Sequence, residues 1–108
     1  MALSRAALLL AILCAPLAAE VRDLKAFYQE RCAVCHGPDG SGRSPGGLRL
    51  GGRNLLDPRW QAKQDEADLV TAILRGRGAM PGFRRQLGEG EARRLLGGFF
   101  RPAPGKRR

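Results

Sequence analysis

The chain has 108 residues, which limits it to one small domain. Its 19 Lys and Arg outnumber 10 Asp and Glu for a net charge of +9, and 16 of the basic residues are Arg. A basic chain meets acidic surfaces, but the interleaved aromatic and basic residues of a single-strand binder are missing, so no nucleic-acid partner is expected.

The first segment reads as a leader. Arg5 precedes "AALLLAILCAPLAA", an uncharged run of 14 residues over 6–19. A bilayer span needs about 20 residues. Ala18 and Ala19 end the run and charge begins at Glu20, the pattern of a secretory signal cut after Ala19. Retention as an anchor is the other reading; a lipoprotein cut before Cys14 is disfavoured by bulky Ile12 and Leu13. Cleavage predicts an exported, periplasmic chain with no stable membrane span, a domain over 20–101 and a basic tail over 102–108. The mature chain would keep 89 residues (108 − 19), with two cysteines, one histidine and one methionine. So short a chain is marginal without a staple or a cofactor.

Leu24, Phe27, Tyr28 and Arg31 fall at i, i+3, i+4, i+7 and predict a helix over 21–32. It leads into "RCAVCHGPDGSG", residues 31–42. From Gly37 to Pro58 there are seven glycines and three prolines, so regular structure is not expected. A stretch of this kind in a compact domain has work to do, such as wrapping a ligand. Asp65, Glu66 and Asp68 open a second helix, where the helix dipole favours negative charge. Leu69, Val70, Ile73 and Leu74 form its apolar face, and Arg75 and Gly76 close it. The loop "GRGAMPGF" comes next, Gly76 to Phe83; Gly76 and Gly78 allow a tight bend and Pro81 stiffens the exit around Met80. A last helix starts near Glu89, with Ala92, Leu95, Leu96, Phe99 and Phe100 at i, i+3, i+4, i+7, i+8. Gly97 and Gly98 each cost about 1 kcal/mol against Ala in a helix interior. Either the helix ends early there, or the missing side chains let another helix cross closely. The chain contains no repeats and no convincing strands. Its few apolar positions form a shell that needs a centre.

The cluster Cys32, Cys35 and His36 admits four chemistries. A Cys32–Cys35 disulfide would close a tiny loop and stabilise little. A structural zinc site needs four ligands, and adjacent Cys35 and His36 do not converge easily on one tetrahedral ion. A thioredoxin-like dithiol needs a strand before it and a helix after it, whereas here a helix precedes and a loop follows. C-x-x-C-H is also the attachment signature of a c-type haem. Two sulfurs at i and i+3 lie on one face of a turn and can reach two porphyrin vinyl groups, and the next residue can offer imidazole to the iron. If haem is bound, His36 takes one axial side. No second histidine exists, and Met80 is the only thioether of the mature chain, 44 residues downstream (80 − 36).

"CAVCHG" followed by "ILRGRGAMPGF" resembles the small class I c-type cytochromes in their bacterial monohaem, His/Met-ligated form. The likeness runs from Leu24 to Phe100. It implies an all-α cytochrome c fold, three to four short helices with glycine-rich loops wrapped around one covalently bound haem c. First and last helices would cross, with Phe27 or Tyr28 against Leu95, Phe99 or the Gly97–Gly98 gap. Cys32 and Cys35 would carry the haem, and His36 and Met80 would ligate its iron. Pro45 resembles the family proline whose carbonyl accepts a hydrogen bond from the histidine ligand, and Trp60 the aromatic residue near the haem propionates. The implied function is that of a periplasmic one-electron carrier, not an enzyme, shuttling electrons between redox partner proteins. Arg43, Arg49, Arg75, Arg77, Arg84 and Arg85 flank the two haem-binding segments and would steer it to an acidic patch on a partner. Two alternatives stand beside it: a cytochrome subunit of a larger periplasmic dehydrogenase or oxidase complex, and a haem enzyme or gas sensor in which Met80 is displaceable.

Overall fold

A computed structural model describes residues 23–100. The leader over 1–19, the start of the first predicted helix at Val21 and the basic tail over 102–108 lie outside the described residues.

Asp23 caps the first helix, its carboxylate accepting the Ala26 N–H at 3.1 Å. Helix α1 (Leu24–Phe27) continues into a π-helical turn (Tyr28–Cys32) and then α2 (Ala33–His36), so that 24–36 form one helical body. The sequence pattern ends the helix at Cys32; the structure carries it four residues further, through the whole C-x-x-C-H cluster. The π turn is the reason: the Ala33 N–H reaches back to Tyr28 O, which widens the turn by one residue and shifts the phase of Ala33–His36. Gly37 then stops the helix at φ 84, where a side chain would be strained.

The stretch 37–57 is irregular, as its glycines require. Within it Arg43 and Arg49 form an isolated antiparallel bridge, closed by a turn in which Gly47 N–H meets Ser44 O at 2.9 Å. Helix α3 (Pro58–Ala62) has no periodic apolar pattern to announce it, although its start signals are present: Asp57 accepts the Arg59 N–H at 3.0 Å and Pro58 sits at the first helical position. Helix α4 (Glu66–Arg75) and its Gly76 stop, at φ 88, agree with the sequence pattern. Helix α5 (Glu89–Leu96) starts at Gly88, whose N–H is held by Glu91 Oε1 at 3.1 Å. It ends at Leu96. A Cβ built on Gly97 would meet only the helix's own carbonyls, at 3.4–3.5 Å, so the two glycines end the helix and admit no close crossing.

α1 nevertheless packs on α5, as the resemblance implies, and α4 packs on α5. Phe27, Tyr28, Ala33, Phe83, Leu87 and Leu95 are buried together, with Phe99 and Leu55 packed against them. Tyr28 faces Phe99 with ring centroids 4.8 Å apart, and Phe27 meets Phe83 edge-on at 5.6 Å. Gln61 fastens the tail of this core: its Nε2 donates to Leu55 O at 2.6 Å and Phe99 O at 2.8 Å. Among the described residues the architecture is four helical bodies with no strand, an all-α fold joined by glycine-rich loops.

Candidate haem site

The π turn and α2 place Cys32 and Cys35 one turn apart, ahead of His36. Both thiols are unpaired. Cys32 is half-buried against the core, and burial pushes its thiol pKa up. Cys35 is exposed.

His36 is fixed by its ring. Its Nδ1 lies 2.9 Å from the Arg53 carbonyl. A carbonyl can only accept, so Nδ1 carries the hydrogen and donates. That leaves Nε2 as the ring nitrogen free to face a metal, and in the neutral ring it is the one that holds the lone pair. Here the structure corrects the expectation for Pro45. The hairpin around the Arg43–Arg49 bridge folds on itself and leaves Pro45 exposed in the Ser44–Gly47 turn, away from the imidazole. The chain returns to His36 only afterwards, and the acceptor is the main chain of Arg53. Glycine makes that return possible. Gly52 N–H donates to Cys35 O at 2.8 Å, and a Cβ at Gly52 would overlap that same carbonyl and lie 3.0 Å from His36 Nδ1. The exit from His36 is tied down too: Gly42 N–H donates to His36 O at 2.6 Å, and the buried Tyr28 hydroxyl donates to Gly37 O at 2.6 Å.

Met80 sits half-buried in a loop with a closed neck. Arg77 and Met80 exchange both backbone hydrogen bonds, at 2.9 and 3.0 Å, around Gly78 and Ala79. Gly78 has φ 58 at the first central position, where mirror-image turns require glycine. Below it, Phe83 N–H donates to Ile73 O at 2.9 Å and Arg84 N–H to Leu74 O at 3.1 Å, so the returning chain satisfies two carbonyls at the end of α4. Gly82 permits this approach, because a Cβ there would overlap Arg75 and the Leu74 carbonyl. The Phe27–Phe83 contact joins the neck to the helix that carries the cysteines.

Trp60, on α3, lies half-buried with the Arg53 guanidinium 5.1 Å above its ring. The structure thus brings Cys32, Cys35, His36 and Arg53 together and ties the Met80 loop to them through the core. These groups fit a c-type haem: two free thiols one turn apart, an imidazole oriented through Nδ1 with Nε2 available, and a thioether held in a closed loop. Partly buried apolar residues at the core edge, Leu24, Leu55, Ile73 and Leu74, suit a flat apolar cofactor. Side-chain patterns do not reveal Arg53, since a carbonyl acceptor leaves no trace in residue type. The available signal is the Gly51–Gly52 pair before it.

The chain's likeness to known proteins agrees with this chemistry. A family model described as cytochrome C oxidase, cbb3-type, subunit III, matches residues 19–97. The chain is 34% identical over 79 residues to a cbb3-type cytochrome c oxidase subunit CcoP of Azospirillum brasilense, covering 72% of this chain and 27% of that protein. It is 38% identical over 62 residues to a cbb3-type cytochrome c oxidase subunit FixP of Bradyrhizobium diazoefficiens, covering 56% of this chain and 20% of that protein. The chain thus spans about a quarter of the length of these relatives. A solved structure, the KustC0563 c-type cytochrome, superposes with a TM-score of 0.57 at 30% identity, covering 74% of this chain and 100% of that one.

Proposed function

The chain belongs to the cytochrome C oxidase, cbb3-type, subunit III family and is a small all-α c-type cytochrome that carries haem c; from that premise we propose that it is an exported electron-transfer module serving a cbb3-type oxidase complex. The observation that carries the proposal is the fixed tautomer of His36, which leaves Nε2 available next to two unpaired cysteines. When bound, haem c supplies a one-electron couple. Cys32 and Cys35 would anchor it, and His36 Nε2 and Met80 Sδ would ligate its iron. A soft thioether favours the reduced state and raises the potential. The hydrogen bonds around His36 and at the Met80 neck keep both ligands in place, so little rearrangement accompanies transfer. The chain does no bond chemistry on a substrate; it holds and presents the cofactor.

The relatives named as oxidase subunits favour a module within a complex over the freely diffusing carrier implied by the class I resemblance. The free carrier keeps one specific support: the match spans 100% of the solved KustC0563 c-type cytochrome chain, so that chain adds no further domain to the one matched here.

The basic charge is segregated. No acidic residue lies between Leu69 and Gly88, where Arg75, Arg77, Arg84 and Arg85 cluster about the Met80 loop. Among the described residues these four form no ion pair, whereas Arg93 pairs with Glu66 and Glu89 and so links α4 to α5. Arg75, Arg84, Arg85, Gln86, Leu74 and Gly82 line a cleft of 670 Å³. It suits an acidic surface on the oxidase or its electron donor, attracted over a distance set by salt.

The test is purification of the exported protein under native conditions. We expect an intact mass that includes one haem after denaturation, and co-migration with cbb3-type oxidase subunits. A haem-bearing chain that always elutes alone would establish the free carrier; a chain without covalent haem would overturn both readings.

A further inference from the structure

We propose that Arg53 is a positioning residue for the axial histidine, acting through its two ends. The inference rests on the reading of His36 as an iron ligand. One end is the carbonyl that accepts from His36 Nδ1 at 2.9 Å. The other is the guanidinium, 5.1 Å above the Trp60 ring. The backbone around this residue is tied at its flanks: Gly52 N–H on Cys35 O at 2.8 Å before it, and Leu55 N–H on Gly40 O at 2.6 Å after it. Between these ties, the peptide that faces the imidazole is steadied by the Arg53 side chain, which reaches across to α3.

Trp60 is a firm anchor for that reach. Asp57 and Pro58 fix the start of α3, and the neighbouring Gln61 is bonded to Leu55 O and Phe99 O, so the ring belongs to the same rigid body as the core. A planar guanidinium on an indole face resists sliding in a way that an alkyl chain does not. The stack therefore limits rotation of the 53–54 peptide and keeps the carbonyl aimed at Nδ1. A histidine whose N–H is held by a strong acceptor is a better donor at Nε2, and it stabilises ferric over ferrous iron. Loosening the stack should weaken this push and raise the potential. Removing the positive charge of Arg53 lowers the potential by itself, so the two effects need separate variants.

Trp60→Leu removes the stack and keeps every charge. In the haem-loaded protein we expect its midpoint potential to rise and exchange of the His36 Nδ1 hydrogen, followed by NMR, to accelerate about two- to five-fold, the factor that one exposed cation–π contact supports. Trp60→Phe, which keeps a ring, restores most of both. Arg53→Ala accelerates the exchange to the same degree, and Arg53→Ala made in the Trp60→Leu background adds nothing further. An unchanged or lowered potential in Trp60→Leu, or a full second increment in the double variant, would overturn the coupling. Covalent haem is verified by mass in each variant, so a failure of attachment in the unsubstituted protein would instead count against the electron-transfer reading.

Discussion

Tyr28 gives the sharpest test of the packing, because it contributes both a hydrogen bond and a titration. Its ring is buried against Phe99, and its hydroxyl donates to Gly37 O, one residue past His36. Burial, with smaller contributions from Cys32 and Asp39, pushes the phenol from 10.0 up to about 12. A cysteine alkylated by haem carries no charge, so the burial effect persists in the loaded protein. The pKa is raised in the folded state. The stabilisation is therefore whole below pH 10 and is lost as pH climbs from 10.0 toward about 12. Its ceiling is about 2.7 kcal/mol, at 1.36 kcal/mol per pK unit. Solvent at the edge of the core screens part of this, which leaves about 1–2 kcal/mol.

Tyr28→Phe keeps the ring and removes the hydroxyl. Gly37 O keeps the Gly40 N–H at 3.1 Å, so no carbonyl is orphaned. The loss should stay near a single hydrogen bond, about 1 kcal/mol. Guanidinium unfolding of the haem-bearing protein, followed by far-UV circular dichroism from pH 8 to about 11.5, should show the native chain ahead by that amount at the start. The advantage should shrink above pH 10 and vanish before about pH 12. A difference that stays constant across the range, or tyrosinate absorbance that titrates at the ordinary phenol value, would refute the account.

Three substitutions probe the site itself. Gly52→Ala forces a Cβ into the Cys35 carbonyl, and overpacking of this kind costs about 1–3 kcal/mol; thermal unfolding should show it, together with a perturbed low-spin spectrum. Met80→Ala should keep the covalent haem, lose the iron–methionine charge-transfer band, lower the potential and bind carbon monoxide readily; an unchanged band would remove Met80 from the ligand set. Arg84→Glu with Arg85→Glu should slow electron transfer to the oxidase and flatten its decline with ionic strength, measured by stopped-flow spectroscopy, while the potential stays near its original value.

Local chemistry is legible in the sequence where side-chain type decides the outcome. The helix over 66–75 shows in its acidic start, apolar stripe and Gly76 stop, and the all-α class rests on three such patterns and no alternation. The C-x-x-C-H cluster and Met80 are visible because the chain after residue 19 has so few alternative ligands. The features that stay hidden are carried by the main chain. The π turn that extends the first helix to His36 depends on one displaced N–H. The acceptor for His36 is a carbonyl, so the resemblance points to Pro45 in the wrong turn while Arg53 does the same job. Helix α3 is hidden for a different reason: five residues are too few for a periodic pattern, and only the Asp57–Pro58 start betrays it.

The two halves of the site are joined by Phe83, and this long-range contact decides how far they can act as one. Phe83 is buried edge-on against Phe27, one turn and a half before Cys32, and its N–H closes the neck of the Met80 loop on Ile73 O. Opening that loop would therefore break a core contact and expose two carbonyls of α4. A carrier gains from such coupling, since the sulfur cannot drift without a measurable loss of stability. Phe83→Ala should cost about 3–5 kcal/mol by cavity formation. More tellingly, it should raise the fraction of haem that has lost the methionine band, in step with unfolding of the loop by hydrogen exchange at Phe83 and Arg84. Phe83→Leu, which keeps most of the volume of the core, should lose less than half of that stability and retain the band. If Phe83→Ala lowers stability but leaves the band intact up to global unfolding, the neck and the core are independent, and the hydrogen bonds to Ile73 and Leu74 hold Met80 by themselves.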